Sequence, residues 1–349
     1  MKTGKLYTIM TKFLHTADLH IGKSRTFPDY LERQISMLDK IFETAESNGT
    51  KTVLMAGDIF ESKNIKWNEQ RAFMERLFHY DANGFRTIIC NGNHDELATG
   101  VSHMWLPQMI NDFGGLSNTI IVDGETRLVK LPDMHVGVIP VVHNNLSTAD
   151  LSSEVKKLYD RADESLPFVM MLHATISGCS TDSGISLSGG PRIPRDCDFV
   201  SYWALGDIHK CQQMADRAWY SGAPMQHDFG DLRPKGILIV EADKDADPKV
   251  ELIELEGIKP LITITELPEK WPENCYIRYM GPMESIIELP ANVVKTQAAK
   301  IEEKQESESE ELVFGDSLTE GLVDFLHSKG IEEELQQEAV RWIEEKYCK

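Results

Sequence analysis

No run of 18 apolar residues occurs in this 349-residue chain, which excludes a membrane-spanning helix on sequence grounds. The opening MKTGKLYTIMTKFLHTADLH lacks a long apolar h-region and a small-residue cleavage site, so no secretory signal is read there. Cysteine is sparse: six residues, Cys90, Cys179, Cys197, Cys211, Cys275 and Cys348, none spaced as CxxC or CxxH. Neither a zinc knuckle nor a redox motif is supported. Free thiols in a reducing, cytoplasmic compartment are the expectation. Positive charge is also short. The 36 Lys and Arg face 56 Asp and Glu, a net charge of −20, which argues against a simple electrostatic nucleic-acid binder. The deficit is uneven: residues 301–349 hold 15 acidic and 5 basic residues, half of the net charge. Bound divalent cations would offset part of the rest locally.

What is present is an alternation of strand-like and helix-like segments. KFLHTA, TVLMAG and RTIICNG read as buried strands. YLERQISMLDKIFETAESNG places Leu31, Ile35, Leu38, Ile41, Phe42 and Ala45 at helical spacing before a Gly stop, and NEQRAFMERLFHYDANG reads as a second helix. This βαβαβ rhythm predicts a sheet covered by helices. NTIIVDG, HVGVIPVV, PFVMMLHA, FVSYWALGD and GILIVEAD follow with less helix between them, so a mixed or two-sheet arrangement is expected.

Polar residues recur directly after these strands: Asp18 and His20, Asp58, Asn93 and His94, His173, then Asp207 and His209. In open α/β sheets the crevice beyond the carboxyl ends of the strands is the ligand site. Side chains spread over about 190 residues can therefore converge. Carboxylate, imidazole and one amide without thiolate suit Mn, Fe or Zn. Seven candidate ligands are too many for one ion and about right for two. Gly57, Gly92 and Gly206 precede them and are expected to let the chain turn tightly. Each fragment alone is weak, since D-x-H and GD pairs are common. Their succession, each after a strand, is not.

DLH, GDIF, GNHD, LHA and ALGDIHK resemble the motifs of the calcineurin-like metallophosphoesterases. LHTADLHIGK, WALGDIHKCQ and YSGAPMQHDFGD followed by KGILIVEAD narrow the resemblance to the nuclease subunits of SbcCD-type DNA-repair complexes, over about residues 12–265 and more weakly the tail. The resemblance implies an α/β fold, a two-sheet sandwich flanked by helices, with a small α+β cap and a C-terminal helical tail. It implies two divalent metal ions, Mn2+ before Mg2+. Asp18, His20 and His209 would hold one, Asn93, His173 and Asp207 the other, with Asp58 bridging. His94 would act catalytically, orienting or protonating near the scissile phosphate. Asp95 either orients His94 or caps the following turn, the second being preferred. One departure stands out: the family usually has Gly-His-x-His where this chain has Gly206-Asp207-Ile208-His209.

The expected organisation is a nuclease core over residues 1–258, a DNA-binding cap over 259–298, an acidic linker over 299–312 and a helical tail over 313–349. In the tail, Leu318, Leu322 and Phe325, then Leu335 and Trp342, lie at amphipathic spacing. The resemblance makes this an attachment site for an SbcC-like coiled-coil P-loop ATPase. DNA as substrate and a homodimer through the core are likewise expected. Lys23, Arg25, Lys63, Lys66, Arg192 and Arg195, in loops near motifs, are the candidate DNA contacts. His15 is expected to pack within its strand. His79, His103, His135, His143 and His327 have no sequence companions, and His227 sits in the family-like MQHDFGD. Two other functions remain open: a stand-alone metallophosphoesterase on small phosphodiesters or phosphoproteins, and a catalytically impaired binding scaffold.

Overall fold

In strand β2 (Thr52–Ala56) Val53 and Met55 face one side and Leu54 and Ala56 the other, all fully buried. A strand apolar on both faces needs cover on both. The computed structural model, which describes residues 10–62, 64–96, 102–104, 107–108, 110, 114–141, 146–281, 289–296 and Gln337, shows how that cover is supplied. β1 (Met10–Thr16), β2, β3 (Arg86–Cys90), β4 (Thr119–Val122), β11 (Ile237–Asp243) and β12 (Lys249–Ile253) form one sheet in the order β12-β11-β1-β2-β3-β4. β1 to β4 run parallel; β11 pairs antiparallel with β1 and β12.

A second six-stranded sheet has the order β5-β6-β7-β8-β10-β9. Its strands are β5 (Arg127–Lys130), β6 (His135–Ile139), β7 (Phe168–His173), β8 (Tyr202–Gly206), β9 (Gln212–Ala215) and β10 (Ala218–Tyr220). The four central strands are parallel and the two edges antiparallel. The sheets share one core: Phe13, Leu54, Ala56, Ile88 and Leu238 from the first meet Val136, Val138, Val169, Met171 and Tyr202 from the second.

The alternate residues of each strand point outward to helices. Helices α1 (Tyr30–Ser47) and α2 (Trp67–Ala82) cover the first sheet, where Met37, Leu38, Ile41, Phe73 and Leu77 pack on Leu14, Val53, Met55 and Ile89. Helix α3 (Thr148–Tyr159) covers the second with Leu151, Val155 and Leu158 against Phe168 and Met170. This is the α/β two-sheet sandwich. The two sheets and β13 (Leu261–Ile264), β14 (Tyr276–Tyr279) and β15 (Val293–Thr296), a small parallel sheet, lie in one compact unit. Phe27 and Tyr276 stack with centroids 4.7 Å apart, joining that small sheet to the loop after β1. No described helix is long and apolar enough to cross a membrane.

Candidate metal centre

β1, β2 and β3 of one sheet and β7 and β8 of the other end at the same edge of the sandwich. Their following residues therefore meet. Asp18 N–H donates to Gly57 O at 3.0 Å and His20 N–H to Asp58 O at 3.0 Å, binding the first two loops together. His94 N–H donates to Asp58 Oδ1 at 2.9 Å, adding the third. Asp207 N–H donates to Asp18 Oδ1 at 3.0 Å, tying in the second sheet.

The close approach explains the glycines. Gly57 does turn, with φ of 91°, and a Cβ there would lie 2.3 Å from His173 Nδ1. Gly92 has an ordinary φ of −104°, so tight turning is not its role. A Cβ at Gly92 would lie 2.1 Å from Asp58 Oδ1, and the position must be small for the two loops to touch.

The side chains form two adjoining groups. In one, His20 Nε2 lies 2.9 Å from His209 Nε2 and 3.6 Å from Asp58 Oδ2, with Asp18 beside them. In the other, His173 Nε2 lies 2.9 Å from Asn93 Oδ1, 3.4 Å from Asp58 Oδ1 and 3.8 Å from Asp207 Oδ1. Asp58 faces both groups. All seven candidates named from the sequence are thus brought together.

The outer ring nitrogens fix how the rings are turned. His173 Nδ1–H donates to Ala56 O at 2.8 Å, His20 Nδ1 faces Glu61 Oε2 at 2.8 Å, and His209 Nδ1 faces Asp231 Oδ1 at 3.4 Å. With His173 Nδ1 on Ala56 O and the Nδ1 atoms of His20 and His209 turned to carboxylates, every Nε2 points inward. His20 Nε2 and His209 Nε2 face each other at 2.9 Å, so that a proton shared between them or a cation held by both satisfies the pair. Asp18 Oδ2 is buried and has no hydrogen-bond partner. The electrostatics agree. Burial opposes a charge on His173, yet Asp58, Asp18 and Asp207 outweigh it and raise its pKa to about 10. Burial also opposes ionisation of Asp58, but His173 and His20 hold it well below the usual carboxylate range. Burial raises Asp18, partly opposed by His173 and His209. Burial lowers the pKa of His20, partly opposed by Glu61 and Asp58. Buried carboxylates and imidazoles packed this closely fit divalent cations, and the oxygen and nitrogen donors suit Mn, Fe or Zn.

Three residues at the centre carried weak sequence signals or none. Glu61 pairs its carboxylate with His20, and its carbonyl accepts from His94 Nδ1–H at 2.6 Å. His227 Nε2–H donates to Asp18 O at 2.7 Å, and its ring lies 5.2 Å from that of His20. Asp231 anchors His209 and also accepts from His227 N–H at 2.7 Å. The Asp95 carboxylate makes no hydrogen bond to His94 among the contacts of the described residues. It accepts from Ile59, Phe60 and Gly92 N–H at 3.2, 2.8 and 2.7 Å, capping two loops at once. His15 is fully buried beside Tyr202, as the strand reading requires.

Among the candidate DNA contacts, Lys23 lies 3.5 Å from Glu61 and Arg25 grips buried Glu69 with two bonds of 2.6 and 2.7 Å. Lys66, Arg192 and Arg195 are exposed. Lys63, His143 and His327 lie outside the described residues, as do Leu318, Leu322, Phe325, Leu335 and Trp342. A cavity of about 280 Å3 opens on Asp207 and His209, walled by Thr181 to Ser183 and by Gly230 and Asp231. A larger one of about 820 Å3, lined by Arg192, Arg195, Trp203 and Arg217, contains none of the candidate ligands.

This fold and this centre define a metal-dependent hydrolase, and the chain belongs to the calcineurin-like phosphoesterase family, whose family model matches residues 11–211. That family implies divalent metal ions. The chain is similar to the SbcD component of the SbcCD nuclease of Escherichia coli K12, 21% identical over 303 residues and 74% of each chain. It is similar to the protein of the same name from Bacillus subtilis 168, 24% identical over 285 residues, 72% of this chain and 71% of that one. The solved structure of a dimetal phosphatase from Danio rerio matches with a TM-score of 0.43 at 12% identity, over 70% of this chain and 99% of that one.

Proposed function

We propose that this chain is a two-metal-dependent DNA nuclease, an exonuclease with accompanying endonuclease activity. It would act in DNA end processing, recombination and repair, beside an SbcC-like coiled-coil P-loop ATPase. The observation that carries the reading is the convergence of three imidazole Nε2 atoms, three carboxylates and one amide on a single buried acidic centre. DNA as substrate is supported by the similarity to SbcCD nuclease components over more than 70% of the chain.

Asp18, His20 and His209 would hold one ion and Asn93, His173 and Asp207 the other, with Asp58 shared; Mn2+ is the favoured metal, Mg2+ the second choice. The chemistry such ions supply when bound is neutralisation of the phosphodiester and acidification of a water for in-line attack. His94 is held by its Nδ1–H on Glu61 O, which leaves Nε2 as the atom that, with the ring in its imidazolium form, would give a proton to the leaving oxygen and leave the ring neutral. Glu61 fixes His20 and His94 together. Among the candidate DNA contacts Lys23, Arg25, Lys63, Lys66, Arg192 and Arg195, the exposed Lys66, Arg192 and Arg195 would reach DNA phosphates most freely of the described ones. The small sheet β13–β15 would serve as the cap, residues 313–349 as the ATPase-binding tail, and the core as the dimer surface of a cytoplasmic complex.

The test is hydrolysis in Mn2+ of linear double-stranded DNA beside a small chromogenic phosphodiester. Wild type should cleave both and Asp58→Ala neither. His94→Ala should keep its metal and lose about 10²–10⁴ in rate. Cleavage of the small diester alone would replace the nuclease with a stand-alone phosphoesterase. No cleavage of either would favour a binding scaffold.

A further inference from the structure

Aspartate at position 207 raises a mechanical problem. A ligating imidazole is held by its second ring nitrogen, as Ala56 O holds His173. An aspartate has no such N–H, and its carboxylate turns readily about a broad, two-fold χ2 torsion. The Asp207 side chain is 22% exposed, so solvent competes for it.

Thr175 supplies the missing hold. Its Oγ1–H donates to Asp207 Oδ2, which leaves Oδ1 on the side of His173 Nε2. The threonine is itself fixed on both flanks by one buried hydroxyl. Tyr220 Oη donates to Ala174 O at 2.6 Å and accepts from Ile176 N–H at 2.7 Å. Gly190 packs so close that a Cβ there would lie 1.9 Å from Thr175 O. Ala174 N–H donates to Gly206 O at 3.2 Å, joining the Thr175 segment to the residue before Asp207. The hydroxyl is therefore preset by the fold rather than by solvent.

We infer that Thr175 is the positioning residue for Asp207: its hydroxyl locks one carboxylate oxygen so that the other serves as a metal ligand. This rests on the two-ion reading of the centre. It predicts a selective effect, because Thr175 hydrogen-bonds none of the ligands of the Asp18, His20 and His209 group among the contacts of the described residues.

The experiment is Mn2+ titration of the full chain after chelator treatment, with bound ions counted by electron paramagnetic resonance and affinities taken from calorimetry. Wild type, Thr175→Val and Thr175→Ser are compared. Wild type should bind two ions. Thr175→Val should bind one normally and the other about 10–100-fold more weakly. Thr175→Ser, which keeps the hydroxyl, should match wild type. Wild-type affinity at both sites in Thr175→Val, equal loss at both, or a Thr175→Ser as weak as Thr175→Val would each overturn the role. If Thr175→Val does not fold, Thr175→Ala is judged by the same criteria. Failure of wild type itself to bind two ions would strike the two-ion reading instead.

Discussion

Asp18, His20, Asp58 and Asp207 have φ values of 55°, 46°, 50° and 104°, the left-handed region that side chains with a Cβ avoid. Each costs on the order of 1–3 kcal/mol and persists only where the surroundings impose it. Here the imposing contacts are the cross-loop bonds from Asp18, His20 and Asp207 N–H. His15, three residues before Asp18, illustrates a different constraint. Burial lowers its pKa to about 3, so the folded state keeps it neutral while the unfolded chain protonates near 6.5. Its contribution is therefore present above pH 6.5 and lost as pH falls from there towards 3. The slope from this one group is up to about 1.4 kcal/mol per pH unit. Urea unfolding of the chelated protein should show a shallower acid limb in His15→Phe than in wild type; parallel limbs would mean that His15 is not the titrating group. The candidate ligands were legible in the sequence because each closes a strand, as His173 does, or follows one within a few residues. Glu61 and Thr175 were not, and His227 only through the family-like MQHDFGD, because each acts on a residue from another strand end, and in the case of Glu61 partly through a backbone carbonyl that no side-chain pattern records.

At the scale of elements, the loop after β1 is held to α2 by a single carboxylate. Glu69 has no exposed side-chain surface and accepts from Arg25, from Tyr30 Oη at 2.9 Å and from Lys66 N–H at 2.8 Å. Removing it leaves the half-buried Arg25 guanidinium with Asn64 O alone, at 2.9 Å, and takes the carboxylate acceptor from the Lys66 N–H at the start of α2. Glu69→Ala should cost about 2–4 kcal/mol by chemical denaturation, and a loss under about 0.5 kcal/mol would refute the clamp. The long helices and central strands could be read from the sequence because their apolar spacing is strong. Helix α3 carried a fainter signal, Ser147 and Asp150 in a capping box before Leu151, Val155 and Leu158, on an otherwise polar stretch. Strands β9, β10 and β12 were not read: β9 and β10 have four and three residues, and β9 and β12 are edge strands with little apolar alternation. The two-sheet arrangement itself was expected, but the order of strands was not, since pairing β1 with β11 joins residues more than 220 positions apart.

Over the whole chain, half of the net charge of −20 lies in residues 301–349, about 90 positions beyond the last ligand candidate, His209, in sequence. Under the proposed function these residues form a linker and an amphipathic tail that tethers the nuclease to its ATPase at high effective concentration. Deleting residues 313–349 should leave Mn2+-dependent cleavage intact and abolish co-purification with the ATPase; a truncated chain that still binds it with unchanged affinity would refute the tail assignment. The central claim is that five strand ends from two sheets build one centre for two ions. Anomalous diffraction from Mn2+-soaked crystals, collected at the manganese edge, tests it most directly. The account predicts two peaks, one among Asp18, His20 and His209 and one among Asn93, His173 and Asp207, with Asp58 between them. A single peak, or none at these side chains, would contradict it.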